Sequence, residues 1–171
     1  MFFKSKMLRH SDQGMTILEV IAVMAILGIL AAIAAPGWTA FANRQRANRG
    51  TDQVLQAVRK AQADAKRTRR NRTVEFVEGT ATATPKLIVG GVSSNLGEGS
   101  FNPGAVQLSA VDGNSDPVSE ISFASTGGLN DVDLPIHITV AAPLEGGATK
   151  CVIIRSLLGA TQIGSDGECN S

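Results

Sequence analysis

The chain has 171 residues, and its 16 Lys and Arg residues nearly balance its 15 Asp and Glu residues. Once the apolar N-terminal segment and the residues before it are set aside, roughly 100–130 residues remain, the length of one soluble domain. Two cysteines and two histidines supply few metal ligands, so neither a metal site nor another cofactor is predicted.

A long apolar segment lies near the N-terminus. From Met15 to Ala35 every residue is apolar or small except Thr16 and Glu19, and roughly 20 apolar residues suffice for an α-helix to cross a bilayer. The charged residues before it are Lys4, Lys6, Arg9 and Asp12. Positive charge at this end keeps the N-terminus in the cytoplasm and sends residues 39–171 across the membrane.

Glu19 is the anomalous residue of this segment. An ionisable side chain in a membrane helix is costly and by default indicates a function; an interfacial acid with its head in water is the alternative. A secretory signal peptide is a rival interpretation, in which Ala34-Ala35 imitates part of the A-x-A cleavage site. The apolar region of such a peptide is typically about 7–15 residues long, so the length of this one disfavours it.

The segment resembles the N-terminus of type IV pilins and type II secretion pseudopilins. The resemblance rests on Gly14, Glu19 and Pro36, which stand in the family's register beside an uninterrupted apolar helix. It implies that residues 1–14 are a leader, that prepilin peptidase cleaves between Gly14 and Met15, and that Met15 is then N-methylated. Glu19 and Pro36 are the residues that the resemblance implies in assembly. Met15 departs from the family's commonest residue at that position, which is phenylalanine.

Electrostatics explains why an acid can be useful at position 19. An uncompensated carboxylate in a low dielectric is costly, and an incoming ammonium group relieves that cost. We therefore predict that Glu19 pairs with the N-terminal amino group of an adjacent subunit during filament assembly. Pro36 and Gly37 then interrupt the apolar helix, and a kink or local unwinding is expected there.

A helical pattern resumes after Gly37 and continues to about Arg72. Small and apolar residues recur every three or four positions and form a stripe that can lie on a sheet. The stripe consists of Ala47, Thr51, Val54, Val58, Ala61, Ala65 and Thr68. Gly50 indicates some bending within this helix. Residues 44–72 carry ten Lys and Arg against two acids, and residues 73–171 carry three against eleven, so a basic helix precedes an acidic domain.

The pattern after Arg72 alternates as in half-buried antiparallel strands. It predicts strands at residues 73–78, 86–89, 105–111, 119–124, 135–142, 150–156 and 160–164. The longest connection, Gly90–Gly104, is interpreted as a solvated loop, with a partner contact as the alternative. The predicted fold class is α+β, with one long N-terminal helix packed on an antiparallel β-sheet or sandwich domain.

The strand order is similar to that of the FimT/GspH type of minor pilin or pseudopilin. That group has a phrase of the form I-x-F-x-x-x-G, here Ile121, Phe123 and Gly127. It also ends in a strand–Gly–strand hairpin, here Val152–Ile154, Gly159 and residues 162–163. Short β motifs with a glycine turn are common, so this second resemblance is less specific than the N-terminal one.

Cys151 and Cys169 lie in the domain that the topology sends outside the cytoplasm, where disulfides persist. A bridge between them would close a loop of about 19 residues and contribute about 3 kcal/mol by pinning the C-terminal hairpin. Two unpaired buried thiols are the alternative.

No catalytic residue is predicted. His137 is the one histidine beyond the leader, and it alternates with the apolar Ile136 and Ile138, so an exposed strand residue is expected. The chain contains no G-x-S-x-G and no G-K-[ST] phosphate loop. Residues 112–116 imitate the opening of a calcium loop, but Pro117 replaces the required glycine, which favours a surface turn.

The basic run of residues 66–72 admits two interpretations. Clustered Lys and Arg can neutralise nucleic-acid phosphates, but no aromatic residues interleave the run for base stacking. Some relatives bind DNA through arginines in the closing hairpin, whereas Ala-Thr-Gln follows Gly159 here. A solvated helix face, or a surface that pairs with acidic neighbouring subunits, is the favoured interpretation.

The resemblance implies a minor pilin or pseudopilin, a structural subunit of a type II secretion pseudopilus or of a type IV pilus tip complex. Its regions would be the leader 1–14, the membrane and assembly helix 15–38, the extramembrane half of the helix 39–72 and the β domain 73–171. A DNA-binding minor pilin for DNA uptake, a non-assembling membrane-anchored binding module and a major pilin are the alternatives.

The same resemblance implies the partners and the location. The partners would be other major and minor pilins or pseudopilins, prepilin peptidase, the inner-membrane assembly platform and membrane lipid. The precursor would cross the bacterial inner membrane once, with its N-terminus cytoplasmic and its C-terminal domain periplasmic, before it enters the filament.

Overall fold

The computed structural model describes residues 14–97, 101–130, 132–143 and 147–169, together with the backbone but not the side chains of residues 34–36. The boundary between two compact units falls between Trp38 and Thr39. Residues 1–13 of the predicted leader and residues 98–100 of the predicted Gly90–Gly104 loop lie outside the described residues.

A single α-helix, α1, runs from Ile17 to Thr68. It ends four residues before the predicted end at Arg72, because Arg69 adopts a left-handed conformation with φ of 52°, which stops helical hydrogen bonding. Lys66 and Arg67 lie in the last turn, where positive charge is favourable to the helix dipole. Arg72 is instead the first residue of the first strand.

The described residues contain nine strands and a short C-terminal 3₁₀ helix, Asp166–Cys169. The strands are β1 (Arg72–Val77), β2 (Lys86–Val89), β3 (Val92–Asn95), β4 (Gln107–Val111), β5 (Glu120–Phe123), β6 (Leu129–Asn130), β7 (Ile136–Ala142), β8 (Ala148–Ile154) and β9 (Thr161–Ser165). One sheet has the order β3-β2-β1-β5-β6 and the other has the order β4-β7-β8-β9. All pairings are antiparallel, so the predicted α+β class is confirmed.

The predicted stripe on α1 forms the helical side of the core. Its residues Ala47, Thr51, Val54, Val58, Ala61 and Ala65 are all buried, whereas Thr68 is half-buried. The sheets contribute Val74, Phe123, Ile138 and Val140 among other fully packed side chains. Small side chains on the helix let its backbone approach the sheets closely, and burial of the larger sheet residues supplies the hydrophobic stabilisation.

Gly50 has a packing role in addition to its effect on the helix. A Cβ atom at this position would lie 2.8 Å from Cγ1 of Val140 and 3.3 Å from Cδ2 of Leu96. At this glycine α1 therefore packs closely against Val140 of β7 and against Leu96, which follows β3. The loss of helix propensity there, about 1 kcal/mol relative to Ala, is offset by this contact.

Two strands were not predicted from the sequence. β3 lies inside the segment that was expected to be a loop, and β6 lies inside a glycine-rich connection. β3 pairs with β2 through the two-residue turn Gly90-Gly91, whose φ values of 57° and 86° are those of a tight hairpin turn. The four residues of β3 are all exposed, so it lacks the alternating apolar pattern that identifies a strand.

His137 was expected to be exposed, and that prediction is wrong, because only 4% of its surface is accessible. It pairs with Ile153 of β8, and directly paired residues lie on the same face of a sheet. The 3₁₀ helix covers this face, where Cys151, Ile153 and Cys169 form a second buried cluster. A disulfide joins Cys151 to Cys169 and ties the cover to the sheet.

We predict that this cover depends on the disulfide. The double variant Cys151→Ala, Cys169→Ala should lose about 3 kcal/mol of unfolding free energy, because the unfolded chain regains the freedom of the closed loop. Its His137 should also become modifiable by diethyl pyrocarbonate, as measured by mass spectrometry of the modified peptide. The unreduced wild-type protein is the control; equal modification of His137 in both proteins would show that the 3₁₀ helix stays in place without the bridge.

Candidate functional site

The predicted processing and assembly residues lie at the start of α1. Gly14, Met15 and Thr16 precede the helix, and Glu19 lies in its first turn. The backbone N–H of Glu19 donates a hydrogen bond to Oγ1 of Thr16 at 3.3 Å. Thr16 therefore caps the helix, which satisfies one of the N–H groups that have no partner within the helix.

This cap was missed in the sequence, although the signal is present. Thr16-Ile17-Leu18-Glu19 has the form S/T-x-x-E of a capping box. Glu19 occupies the acidic position of that box, three residues after Thr16, so the position of this acid also fixes where the helix begins. Met15 and Glu19 are both exposed, and an exposed carboxylate one turn into an apolar helix is available to a charged group of another molecule.

The helix from Ile17 to Ile33 presents its side chains outward on all sides. Of the described residues, α1 is the helix that is long and apolar enough to cross a membrane, with a mean hydropathy of 2.7 in its most apolar window. Such an all-round apolar surface is unfavourable in water and suits lipid or the apolar helices of other proteins. The backbone of Pro36 remains part of α1, so the local unwinding that was expected there is not observed.

A polar junction forms where the two glycine turns of the β domain meet α1. Nε2 of Gln62 donates to the carbonyl oxygen of Gly127 at 2.8 Å and to that of Leu158 at 2.8 Å. The backbone N–H of Leu129 also donates to the carbonyl oxygen of Leu157 at 2.7 Å. The turn after β5 and the turn between β8 and β9 are therefore joined to the helix and to each other.

Both glycines at this junction are required by geometry. Gly127 and Gly159 have φ values of 84° and 78°, in the region that other residues rarely adopt. A Cβ atom on Gly127 would collide with the side chain of Lys66, and one on Gly159 would lie 2.5 Å from Nε2 of Gln62. The two glycines of the weaker family resemblance are thus brought together at one place.

Gln62 itself was not identified from the sequence. It lies next to the buried Ala61, and a glutamine at the border of an apolar stripe is indistinguishable from any other solvated helix residue until the turns are placed. The side-chain amide can satisfy two carbonyls because it carries two donor hydrogens.

Residues 112–116, whose sequence imitates the opening of a calcium loop, form a surface turn. Oδ1 of Asp112 accepts the backbone N–H groups of Asn114 and Asp116, each at 2.9 Å. Nδ2 of Asn114 donates to Oδ2 of Asp133 at 3.0 Å. These bonds use the carboxylate as a turn-forming acceptor, and the described residues contain no group of three or more side chains suited to a metal ion.

The basic run is divided by the fold. Arg67 forms an ion pair with Asp64 at 3.2 Å on the helix, the side chain of Lys66 passes over Gly127, and Arg72 lies in β1. An exposed pair of this kind contributes little stability. The cations therefore lie on the end of the helix, on the turn that follows it and on the first strand.

Comparison with known proteins identifies the class of the N-terminal segment. The family model of the prokaryotic N-terminal methylation motif matches residues 9–35. This match contains Gly14, Met15, Glu19 and the apolar half of α1. Among curated protein sequences, no relative matches the chain.

The fold is similar to that of the type IV minor pilin FimU of Pseudomonas aeruginosa, whose crystal structure aligns with a TM-score of 0.50. The two sequences are 14% identical, and the alignment covers 75% of this chain and 98% of the FimU chain. At this identity the similarity shows a shared fold. The comparisons therefore show a methylation motif in the N-terminal segment and a fold shared with a type IV minor pilin.

We predict that Gln62 stabilises the junction through its amide donor. Gln62→Glu keeps the size of the side chain but turns a carboxylate oxygen toward two carbonyls, so both hydrogen bonds are lost, at a cost on the order of 2–3 kcal/mol of unfolding free energy. Urea unfolding of the detergent-solubilised chain measures this cost. Gln56→Glu is the matched control, because Gln56 is exposed on the same helix; equal midpoints for the two variants would contradict the prediction.

Proposed function

We propose that this protein is a minor pilin or pseudopilin, a structural and non-enzymatic subunit of a type IV pilus or a type II secretion pseudopilus. The observation that carries the proposal is the order Gly14, Met15, Glu19 at the start of an apolar helix within a matched methylation motif. The pilin fold of the remaining chain supports it. Prepilin peptidase would cleave between Gly14 and Met15, and Met15 would then be methylated.

The exposed apolar half of α1 would lie first in the membrane and later among the helices of the filament. Before assembly, residues 15–38 would span the bacterial inner membrane, with the β domain in the periplasm. After assembly, the same side chains would pack against the helices of neighbouring subunits, which replaces lipid with protein at little hydrophobic cost. The partners are then other pilins or pseudopilins, with the peptidase and the inner-membrane assembly platform acting on the precursor.

Glu19 would set the register of each new subunit. Its carboxylate is exposed in the first turn of α1, and in lipid it would lack a compensating charge, which is costly. The N-terminal ammonium group of Met15 in an adjacent subunit would supply that charge. A subunit shifted along the filament would leave both groups unpaired, so this pair would favour one position.

The domains follow from the same proposal. Residues 1–14 would be the leader and residues 15–38 the membrane and assembly helix. The extramembrane part of the helix would begin at residue 39 and, with α1 ending at Thr68, would lead through residues 69–72 into the β domain of residues 73–171.

The charge of Glu19 provides the test of this proposal. Glu19→Ala and Glu19→Gln should both be cleaved after Gly14 and inserted in the membrane, but should be at least about tenfold depleted in sheared filaments, since loss of a desolvated ion pair costs more than 1.4 kcal/mol. Immunoblotting of sheared and membrane fractions measures this. Thr16→Ser retains the hydroxyl that caps the helix and should assemble normally.

Two outcomes would contradict the proposal. Normal incorporation of Glu19→Gln would remove the role of the charge. An intact Met1 on the membrane-resident protein, in cells with active prepilin peptidase, would remove the maturation step.

A clean deletion would distinguish the two filament systems. Loss of protein secretion alone would assign the subunit to a type II secretion pseudopilus, whereas loss of surface pili, twitching or DNA uptake alone would assign it to a type IV pilus. We expect one of these two phenotypes, scored in parallel in the same strain. If neither function changed, the non-assembling membrane anchor would become the better hypothesis.

A further inference from the structure

A groove runs between α1 and the edge strand β3, away from the helix stripe and the glycine junction. Its volume is about 450 Å³, and its lining includes Gln53, Lys60 and Asp64 of the helix, Arg72 of β1, and Val89 and Val92 of the β2–β3 hairpin. We call it the edge groove. Leu87, which is almost fully buried, also lines it, so the groove has an apolar floor and charged walls.

β3 forms one side of the edge groove, where Val92 and Ser94 line it. β3 is the last strand of its sheet and is paired only with β2 among the described strands. Val89 and Val92 flank the Gly90-Gly91 turn and form the first hydrogen-bonded pair. Hydrogen-bonded and non-hydrogen-bonded pairs alternate along antiparallel strands, so the backbone N–H and C=O groups of Ser93 and Asn95 point away from β2. Such an edge can accept a further strand.

The helix already makes contact with this edge at one end. Nε2 of Gln53 donates to the carbonyl oxygen of Asn95 at 3.5 Å, and Oε1 of Gln53 accepts the backbone N–H of Gly97 at 2.5 Å. These contacts show that the free edge of β3 faces α1 and that Gln53 closes one end of the edge groove. Ser93 and Val92 lie beyond this closed end, and 71% of the surface of Val92 is exposed.

Arg72 lies at the other end of the edge groove and has an unused donor. Its Nε atom is buried and has no hydrogen-bond partner among the described residues. Its guanidinium group lies beside the hairpin turn, since a Cβ atom on Gly90 would be 3.3 Å from Nη1. Arg72 lines the edge groove although its Nε is buried, so the terminal nitrogens of the guanidinium group are the donors that another molecule can reach.

The charges select the kind of acceptor. Lys60 and Arg72 are the cations of the edge groove, and its one acid, Asp64, is ion-paired with Arg67 at 3.2 Å. The net positive charge favours a carboxylate, which an arginine can bind through two parallel hydrogen bonds. A helix would leave the backbone groups of β3 unused, whereas an extended segment would pair with them.

We propose that the edge groove receives an extended segment of a neighbouring subunit, which pairs with β3 and places a carboxylate on Arg72. The main-chain bonds to Ser93 supply affinity, and the apolar floor and Arg72 supply specificity, as in other cases of strand addition. This inference rests on the proposed function only in taking the partner to be another filament subunit.

Site-specific photocrosslinking tests the proposal in the cells that make the protein. A photoreactive amino acid at Val92 of the full chain should give a discrete cross-link to another subunit, and mass spectrometry should map it to a non-helical segment with an Asp or Glu nearby. The same amino acid at Ile163 is the matched control, because this residue is 45% exposed on β9 of the other sheet; it should not label that segment.

Second-site variants in the Val92 background separate the two interactions. Ser93→Pro removes the outward N–H and Arg72→Gln removes the charge, and each should lower the cross-link yield about tenfold, the effect of losing one charge-assisted or buried hydrogen bond. Ser93→Ala, which keeps the N–H, and Lys86→Gln, which removes an exposed cation of β2, should change the yield less than about twofold. Urea unfolding of each variant tests its folding, and Arg72→Gln decides alone if Ser93→Pro unfolds.

The outcomes distinguish this inference from the proposed function. A chain that is cleaved and enters filaments, but gives no cross-link from Val92 or one to a helix without an acid nearby, would overturn the edge-groove proposal and leave the filament role intact. An uncleaved chain that never enters filaments and gives no cross-link would overturn both.

Discussion

The close approach of α1 to the two sheets is the constraint on which the β domain depends. It requires small residues at Ala47, Ala61 and Ala65, and no side chain at all at Gly50, where Val140 and Leu96 fill the space. Larger residues in this stripe would separate the layers and expose the apolar faces of both sheets to water. The helix is therefore a structural part of the core from Ala47 to Ala65, and the strands pack against it.

The polar contacts at the edges of this core fix the turns that the apolar packing leaves free. Gln62 holds the turns at Gly127 and Leu158, and Gln53 holds the chain as it leaves β3. The disulfide performs a similar role on the opposite face by holding the 3₁₀ helix over His137. The two glutamines join elements that are far apart in the sequence, so they add order to turns that have little apolar surface of their own.

The first half of α1 follows a different principle. Its side chains from Ile17 to Ile33 are exposed, and nothing in the described residues covers them. A surface of this length is stable only in lipid or against other apolar helices. The protein thus combines a β domain that has its own buried core with a helical segment whose apolar surface is exposed, and the proposed filament role accounts for both.

Local sequence alone determined the features that arise from neighbouring residues. The apolar length before Pro36, the position of Glu19, the helix stripe and the alternation at Ile121 and Phe123 were all evident, because each is a matter of spacing along one element. Tertiary structure decided the burial of His137, the strand β3 and the role of Gln62. His137 is covered by the 3₁₀ helix, which lies about 30 residues away in the chain. β3 is held by its pairing with β2, although its four residues are all exposed. Gln62 acquires its hydrogen-bond acceptors only when two distant turns meet. Such features depend on contacts between remote parts of the chain, and no local pattern specifies them.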